Sequence, residues 1–262
     1  MKQLRQFVIL VFILSSPLWI LGYFFDATKI ISIRLPISAL QFLCVLVAAI
    51  IITKRNGNST ISFLQRGLDF HRISVRIWRY SVFVLMPFTV LLSYFLMRCN
   101  GVELQHPLTP YWNILFFLLI YGISGYCEQL GWTAVATDKL LARYNTIVTG
   151  CIVGFIWATR HIIPFIQTHN SADWIFWQCL FTIIFRIILT KIYVLTNRSV
   201  FATVALHMTY NTAFSMMPYY GSAYNPMYMV LATCLTGTMI FLLISTWKAL
   251  QAIRPTSRST GS

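Results

Sequence analysis

Charged residues are scarce in this chain, and acidic residues are the scarcest. Only 10% of the 262 residues are charged and Asp and Glu together number six, whereas about a quarter of the residues in a typical soluble domain are charged. A disordered chain is excluded because 58% of the residues are hydrophobic and 16% are aromatic. The same composition excludes an ordinary soluble domain and predicts an integral membrane protein.

The chain also lacks paired cysteines. None of its six cysteines stands in a CxxC pair, so the sequence predicts neither a disulfide framework nor a zinc knuckle. Most lie within apolar runs, and we expect them to be small core residues. They are Cys44, Cys99, Cys127, Cys151, Cys179 and Cys234.

Basic residues are in excess, with 20 Lys and Arg and a formal net charge of +14. In a soluble chain this excess would suggest nucleic acid as a partner. In a chain this apolar, the bias of basic residues toward the cytoplasmic side and contact with anionic lipid headgroups account for it. We therefore predict the lipid bilayer as a partner, and no nucleic acid.

Eight apolar segments are long enough to cross a bilayer, which takes about 20 residues per helix. They lie near 7–24, 35–53, 79–98, 112–134, 146–166, 174–195, 199–217 and 227–247. We predict an all-α, polytopic membrane bundle of about eight transmembrane helices, forming one domain over 1–251 and followed by a disordered basic tail at 252–262. The polar segment 54–78 is expected to contain an interfacial helix.

The distribution of basic residues predicts the orientation of the bundle. If both termini are cytoplasmic, fifteen basic residues fall on the inner side, and only Lys29, Arg34 and Arg98 fall on the outer side. This asymmetry predicts cytoplasmic termini. We expect a multi-pass protein, located in the plasma membrane if the source is bacterial.

Seven strongly polar residues fall inside the predicted spans. An ionisable group at membrane depth costs about 2.5–3.5 kcal/mol on insertion scales and usually has a function. We therefore expect the functional site to lie among these residues, which are Glu128, Gln129, Arg160, His161, Arg186, His207 and Asn211.

The spacing of these residues predicts that they face one another. His207 and Asn211 lie one helical turn apart and point the same way. Gly150 and Gly154 form a row of small residues that favours close helix packing, and His161 lies farther along that row. Four helices thus each offer a polar face, and we expect these faces to enclose a hydrated cavity.

Taken singly, each residue has a simpler interpretation. A histidine such as His161 or His207, or an amide such as Asn211, is often only an interhelical hydrogen-bonding group. Glu128 alone would fit a proton relay in a transporter. The histidines in polar connections, His71, His106 and His169, are not expected to act directly.

In combination, these residues resemble a known family. Glu128-Gln-Leu-Gly-Trp-Thr-Ala, Phe155-Ile-Trp-Ala-Thr-Arg-His161 and His207-Met-Thr-Tyr-Asn211 are similar to the three ordered motifs of the CAAX protease and bacteriocin-processing (CPBP or ABI) family of intramembrane endopeptidases. Those motifs are Glu-Glu-xxx-Arg, Phe/Trp-xxx-His and His-xxx-Asn. The stretch from Tyr193 to Asn197 also resembles the segment that usually precedes the third motif. The likeness places the peptidase core near 112–217.

The resemblance implies a glutamic-type endopeptidase that acts on a membrane-associated peptide or protein. Glu128 would be the general base for a water molecule, and His161 would hold that water or share its proton. His207 and Asn211 would donate hydrogen bonds to the oxyanion. A metallopeptidase is the alternative, with Glu128, His161 and His207 as zinc ligands; since the chain has no HExxH motif, we expect no metal cofactor.

Two positions depart from the family pattern. Gln129 stands where the family has its second glutamate, and Thr133 stands where it has arginine. Relative to the family pattern, the motif loses one negative and one positive charge, so its net charge is unchanged. We expect Gln129, Arg160, Arg186 and Trp132 to support the site, with Arg160 or Arg186 supplying the counter-charge that Glu128 needs.

The sequence leaves three functions open. The first is a membrane-embedded endopeptidase in CAAX-type maturation, peptide-pheromone processing or bacteriocin self-immunity. The second is a catalytically silent relative that acts as a bacteriocin-immunity factor or a membrane scaffold. The third is a proton-coupled transporter, which is disfavoured because the chain has no inverted repeat or paired broken helices.

Overall fold

The computed structural model describes residues 1–24, 37–104, 114–217, 221 and 223–253, and all regular structure in these ranges is helical. This confirms the predicted all-α class. Short 3₁₀ turns occur at Ile37–Leu40, Arg66–Leu68 and Phe70–Arg72, and a π-helical turn occurs at Trp132–Thr137. The α-helices are α1 (Lys2–Phe24), α2 (Gln41–Arg55), α3 (Thr60–Gln65), α4 (Arg76–Cys99), α5 (Ile114–Gly131), α6 (Asp138–Leu141), α7 (Thr146–Gln167), α8 (Ala172–Leu195), α9 (Val200–Ser215) and α10 (Pro226–Ile253).

Within these ranges, seven helical segments are long and apolar enough to cross a membrane, which confirms a polytopic membrane bundle. The predicted count of eight is corrected, because the segment expected at 199–217 forms only the 16-residue α9. At about 1.5 Å per residue, α9 is about 24 Å long, which is shorter than a hydrocarbon core of about 30 Å. The orientation of the termini stays a prediction. The seven segments are Lys2–Phe24, Ile37–Arg55, Arg76–Cys99, Ile114–Leu141, Thr146–Gln167, Ala172–Leu195 and Pro226–Leu243.

Helix α9 is buried within the bundle. Eleven of its sixteen residues are buried, and it packs against α5, α4 and α8. Gly125 of α5 lies at this contact, where a Cβ atom would be 3.4 Å from the carbonyl oxygen of Val204 and 3.7 Å from Cβ of His207, both ordinary van der Waals distances. This contact brings the polar end of α5 against the face of α9 that carries His207.

The predicted row of small residues on α7 is the contact surface for α8. A Cβ atom on Gly150 would lie 2.6 Å from Cα of Ile187, and one on Gly154 would lie 2.8 Å from Cα of Ile183. Both distances are shorter than van der Waals contact and involve backbone atoms, which cannot rotate away. Glycine is therefore required for this close packing of α7 on α8.

Replacing Gly154 by alanine is expected to lower the free energy of unfolding by about 1–3 kcal/mol, because the added methyl group forces α7 and α8 apart. The matched control is Gly237→Ala, whose Cβ atom would meet Cδ1 of Ile188 at 3.5 Å, an ordinary contact. Thermal unfolding of both variants in detergent micelles measures the difference. Equal unfolding midpoints for the two variants would contradict the packing described here.

The polar connection between α2 and α4 differs from the single interfacial helix that the sequence predicts. It contains the six-residue α3 and two 3₁₀ turns. Arg66 donates to Asp138 Oδ2 at 2.8 Å, and Tyr193 donates to Asp138 Oδ1 at 2.7 Å. Burial lowers the pKa of Arg66, but Tyr193 and Asp138 outweigh this effect and raise it. These bonds tie the connection to α6 and α8.

The six cysteines differ in their burial. The expectation that the cysteines are core residues is wrong for Cys99, Cys151 and Cys234, which are exposed. A small thiol is compatible with an apolar surface.

The last described helix ends at Ile253, within the predicted tail, and residues 254–262 lie outside the described part of the chain.

Candidate active site

Glu128 is buried near the end of α5, with an exposed fraction of 4%. Its Oε2 accepts a hydrogen bond from Trp157 Nε1 at 2.9 Å. Its Oε1 forms an ion pair with Nη2 of Arg160, which lies one turn beyond Trp157 on α7. Arg160 therefore supplies the counter-charge that the sequence left to either Arg160 or Arg186.

The side chain of Arg160 is enclosed by three other elements. It is fully buried, its Nη1 donates to the backbone carbonyl of Gln41 at 3.1 Å, and its guanidinium carbon lies 5.6 Å from the ring centre of Trp132. Trp132 itself is fully buried and packs edge-on against Phe7. A buried ion pair of this kind depends on both partners, because removal of one leaves the other uncompensated.

His161 presents one ring nitrogen to the backbone. Its Nδ1 lies 2.8 Å from the carbonyl oxygen of Trp157. A carbonyl oxygen can only accept, so Nδ1 carries the proton when the imidazole is neutral, and Nε2 is left as an acceptor. The residue is half-buried.

Trp157 links the predicted site residues. Its ring lies 5.8 Å from that of His161 and 5.2 Å from that of His207, in both cases edge-to-face, and its indole N–H binds Glu128. The acid and both imidazoles therefore surround one indole ring. Trp157 was not among the predicted site residues, although it is the aromatic residue of the Trp-xxx-His motif.

His207 is held by Gln129 across the α5–α9 contact. The Gln129 amide nitrogen lies 3.1 Å from Nδ1 of His207. The Gln129 carbonyl oxygen accepts from the Thr133 hydroxyl at 2.7 Å and from Arg186 Nη1 at 2.9 Å. Arg186 also donates to Thr133 at 3.3 Å, so α5, α8 and α9 meet at this cluster.

Arg186 occupies the region where the family pattern would have an arginine at position 133. The cation comes from α8, whereas the second acidic group is missing. The exposed fraction of Arg186 is zero and, among the described residues, it has no acidic partner. The expectation that the net charge is the same as in the family pattern stays a prediction.

Asn211 stands apart from this cluster. It lies one turn beyond His207 on α9 and is half-buried, and its side chain makes no hydrogen bond with the rest of the described chain. Glu128, His161 and His207 thus converge on Trp157, whereas no contact of this kind includes Asn211. Its catalytic role stays a prediction.

The alternative zinc ligands do not form a metal-binding group. In the described ranges, no three His, Cys, Asp or Glu side chains are arranged to hold a metal ion. Glu128 instead accepts from two N–H donors, and Nδ1 of His207 accepts from Gln129. The absence of a cofactor remains an expectation.

Asp69 holds the start of the helix that carries His207. Its Oδ1 accepts from the Ser199 hydroxyl at 2.9 Å and from the backbone N–H of Phe201 at 3.0 Å, and its Oδ2 lies 3.4 Å from the backbone nitrogen of Val200. The backbone N–H groups of Val200 and Phe201 lie at the N-terminus of α9 and have no partner within the helix. A negative charge is favourable at this end of a helix. The role of Asp69 could not be predicted from the sequence, because Asp69 lies about 130 residues away from Ser199 in a polar connection.

Asp69→Ala is expected to lower the free energy of unfolding by about 1–2 kcal/mol, because it removes the carboxylate cap of α9. The matched control is Asp173→Ala, since Asp173 is exposed in the first turn of α8. Chemical denaturation in micelles, followed by tryptophan fluorescence, measures both. A smaller loss for Asp69→Ala than for Asp173→Ala would contradict the capping role.

The stretch from Tyr193 to Asn197 holds the connection into α9. Tyr193 binds Asp138, as described above, and Asn197 donates to the Arg72 carbonyl at 3.1 Å and to the Ser74 hydroxyl at 2.8 Å. These contacts lie outside the cluster around Trp157. The stretch therefore fixes the approach to α9 and does not itself line the candidate site.

The part of the chain that carries this cluster is similar to known proteins. Residues 110–213 match a family described as type II CAAX prenyl endopeptidase Rce1-like, and this range contains the cluster around Trp157. This match supports the family resemblance that the sequence motifs indicate. The chain is also 27% identical over 177 residues to CAAX prenyl protease 2 of Methanococcus maripaludis, an alignment that covers 62% of each chain. The chain thus matches somewhat less than two thirds of the length of that CAAX protease.

Proposed function

We propose that the chain is an intramembrane endopeptidase that hydrolyses a peptide bond of a membrane-associated peptide or protein. The proposal depends above all on one observation: Glu128, His161 and His207 surround the Trp157 ring within the segment that matches the CAAX protease family. We place the protein in the plasma membrane if its source is bacterial.

Glu128 and His161 activate one water molecule in this proposal. An ionised carboxylate has about four acceptor positions, and Trp157 and Arg160 use two of them. One of the remaining positions accepts a hydrogen of the water, and Nε2 of His161 accepts the other. As the water oxygen bonds to the scissile carbonyl carbon, its proton passes to Glu128, which acts as the general base.

His207 and Asn211 stabilise the negative charge that then develops on the carbonyl oxygen. His207 donates through Nε2–H and Asn211 through its side-chain amide, and both lie on the same rigid helix. The C–N bond breaks as Glu128 returns the proton to the leaving nitrogen. The products are a carboxylic acid, which keeps the second proton of the water, and an amine, and the enzyme is regenerated.

We propose prenylated CAAX-type peptides as the substrate class, because the matching family and the archaeal relative both carry that description. The test uses the full chain in lipid nanodiscs, a prenylated peptide with a CAAX terminus, and mass spectrometry of the products. We expect one cleavage close to the prenylated cysteine. Cleavage that is unchanged in His161→Gln would contradict the proposal; the matched control is His71→Gln, which alters an exposed histidine.

Chelation of divalent metal ions is expected to leave hydrolysis unchanged. The reason is that Glu128 is surrounded by N–H donors and does not group with two further ligands in the described chain. The measurement is the initial rate before and after dialysis against a zinc chelator. A loss of rate that added zinc restores would show that the metallopeptidase alternative is correct.

A catalytically silent immunity factor or scaffold is the second candidate function. The observation that favours it is that both carboxylate oxygens of Glu128 already bind donors, while Gln129 replaces the second glutamate. In this case, Glu128→Gln and His161→Ala would leave the cellular phenotype intact as long as the protein accumulates in the membrane. The peptidase proposal predicts that both substitutions abolish it.

A further inference from the structure

A continuous chain of hydrogen bonds runs from α8 through α5 to α9. Arg186 Nη1 lies 2.9 Å from the carbonyl oxygen of Gln129, and the Gln129 amide nitrogen lies 3.1 Å from Nδ1 of His207. The exposed fractions of the three residues are 0%, 0% and 7%. Water therefore has little access to compete for these bonds.

The chemistry of the partners fixes the direction of each bond. Arginine has only donors, so the Gln129 atom that faces Arg186 is the carbonyl oxygen. The Thr133 hydroxyl binds the same oxygen. The amide NH₂ of Gln129 consequently faces His207 and donates to Nδ1. A neutral imidazole whose Nδ1 accepts carries its proton on Nε2.

The other groups around His207 do not alter this assignment. The rings of Trp157 and Phe185 meet the imidazole edge-to-face at 5.2 and 6.4 Å, and neither ring accepts a conventional hydrogen bond in its plane. Within the described ranges, the hydrogen bond to Gln129 is the one that His207 makes through its ring. The hydrogen bond from Gln129 therefore sets the tautomer of His207.

We propose that Gln129 and Arg186 are positioning residues that fix His207 as an Nε2–H donor. Arg186 orients the Gln129 amide, and Gln129 in turn sets the imidazole tautomer. The inference rests on the proposed function in that the donated hydrogen serves the oxyanion. A glutamate at position 129 would have the opposite effect, because a carboxylate only accepts and would draw a proton onto Nδ1.

The test is nitrogen NMR of the full chain in nanodiscs, with ¹⁵N-labelled histidine and no substrate. The His207 signals are assigned as those that disappear in His207→Gln. We expect a protonated Nε2 and a bare Nδ1 at neutral pH in the unsubstituted protein, and a protonated Nδ1 in Gln129→Glu. The matched control is Gln178→Leu, which alters a buried glutamine bound to Tyr224 and should leave the His207 signals unchanged.

A second variant tests the contribution of Arg186. In Arg186→Met, the Gln129 amide is held only by the Thr133 hydroxyl, which can donate or accept, and we expect His207 to populate both tautomers. Gln129→Glu keeps an acceptor for Arg186, so it provides a folded variant if Arg186→Met does not accumulate. A protonated Nδ1 in the unsubstituted protein, or an unchanged bare Nδ1 in Gln129→Glu, would overturn the proposal. Because no substrate is present, this result is independent of whether the chain cleaves peptides.

Discussion

Glu128→Gln is expected to reduce peptide hydrolysis by at least about 10²–10⁴-fold, because glutamine cannot take a proton from the attacking water. The amide keeps the size of the side chain and can still accept a hydrogen bond from Trp157. A fall in kcat, measured on the prenylated peptide under saturating conditions, would therefore report on proton transfer and not on shape.

The controls for this prediction separate chemistry from folding. Glu103→Gln is the matched substitution, since Glu103 is the other glutamate of the chain and is exposed. Glu128→Gln also leaves Arg160 without its counter-charge, which can destabilise the protein. The double variant Glu128→Gln/Arg160→Gln removes both charges and tests folding. A double variant that folds and cleaves at the normal rate would contradict the role of Glu128.

His207→Ala and Asn211→Ala are each expected to lower kcat by about 10²–10³-fold, because each removes one donor to the developing oxyanion. The value of KM should change little, since this charge is absent from the bound substrate. The measurement is the full dependence of rate on substrate concentration for both variants.

Two exposed residues provide the matched controls for the oxyanion donors. His169 lies in the connection between α7 and α8, and Asn100 lies at the end of α4. Alanine at either position should leave kcat unchanged. If His207→Ala and Asn211→Ala raise KM and leave kcat intact, these residues bind the ground state and do not stabilise the transition state.

The sequence predicted the features that depend on periodicity. A 20-residue apolar run identifies a membrane helix without knowledge of its neighbours, and the spacing of Gly150 and Gly154 identified the face of α7 that packs closely on α8. The burial of Glu128 and His207 followed from the cost of exposing such groups to lipid. Each of these inferences uses only residues within one helix.

Features that depend on the packing of distant segments could not be predicted. The choice of Arg160 over Arg186 as the partner of Glu128 depends on how α7 rotates against α5, which spacing does not specify. The cap that Asp69 forms on α9 joins positions about 130 residues apart. The spacing of Asn211 from His207 placed both on one face but did not specify that Asn211 is half-buried.

The length of α9 also depends on how distant segments pack and could not be predicted from the sequence. Its sequence continues the apolar pattern to Met217, but the helix ends at Ser215. A helix that is surrounded by other helices does not need to match the thickness of the bilayer, since its neighbours and not lipid cover its surface. Hydropathy alone does not distinguish these two environments.

The claim that Glu128 and His161 act on one shared water is tested most directly by a double-mutant cycle on kcat. The variants are Glu128→Gln, His161→Gln and the combination of both, assayed on the same prenylated peptide. Groups that act as a unit have strongly non-additive effects, so we predict that the combined variant retains the residual rate of the slower single variant. Losses that multiply would show that the two residues act independently and would contradict the shared-water mechanism.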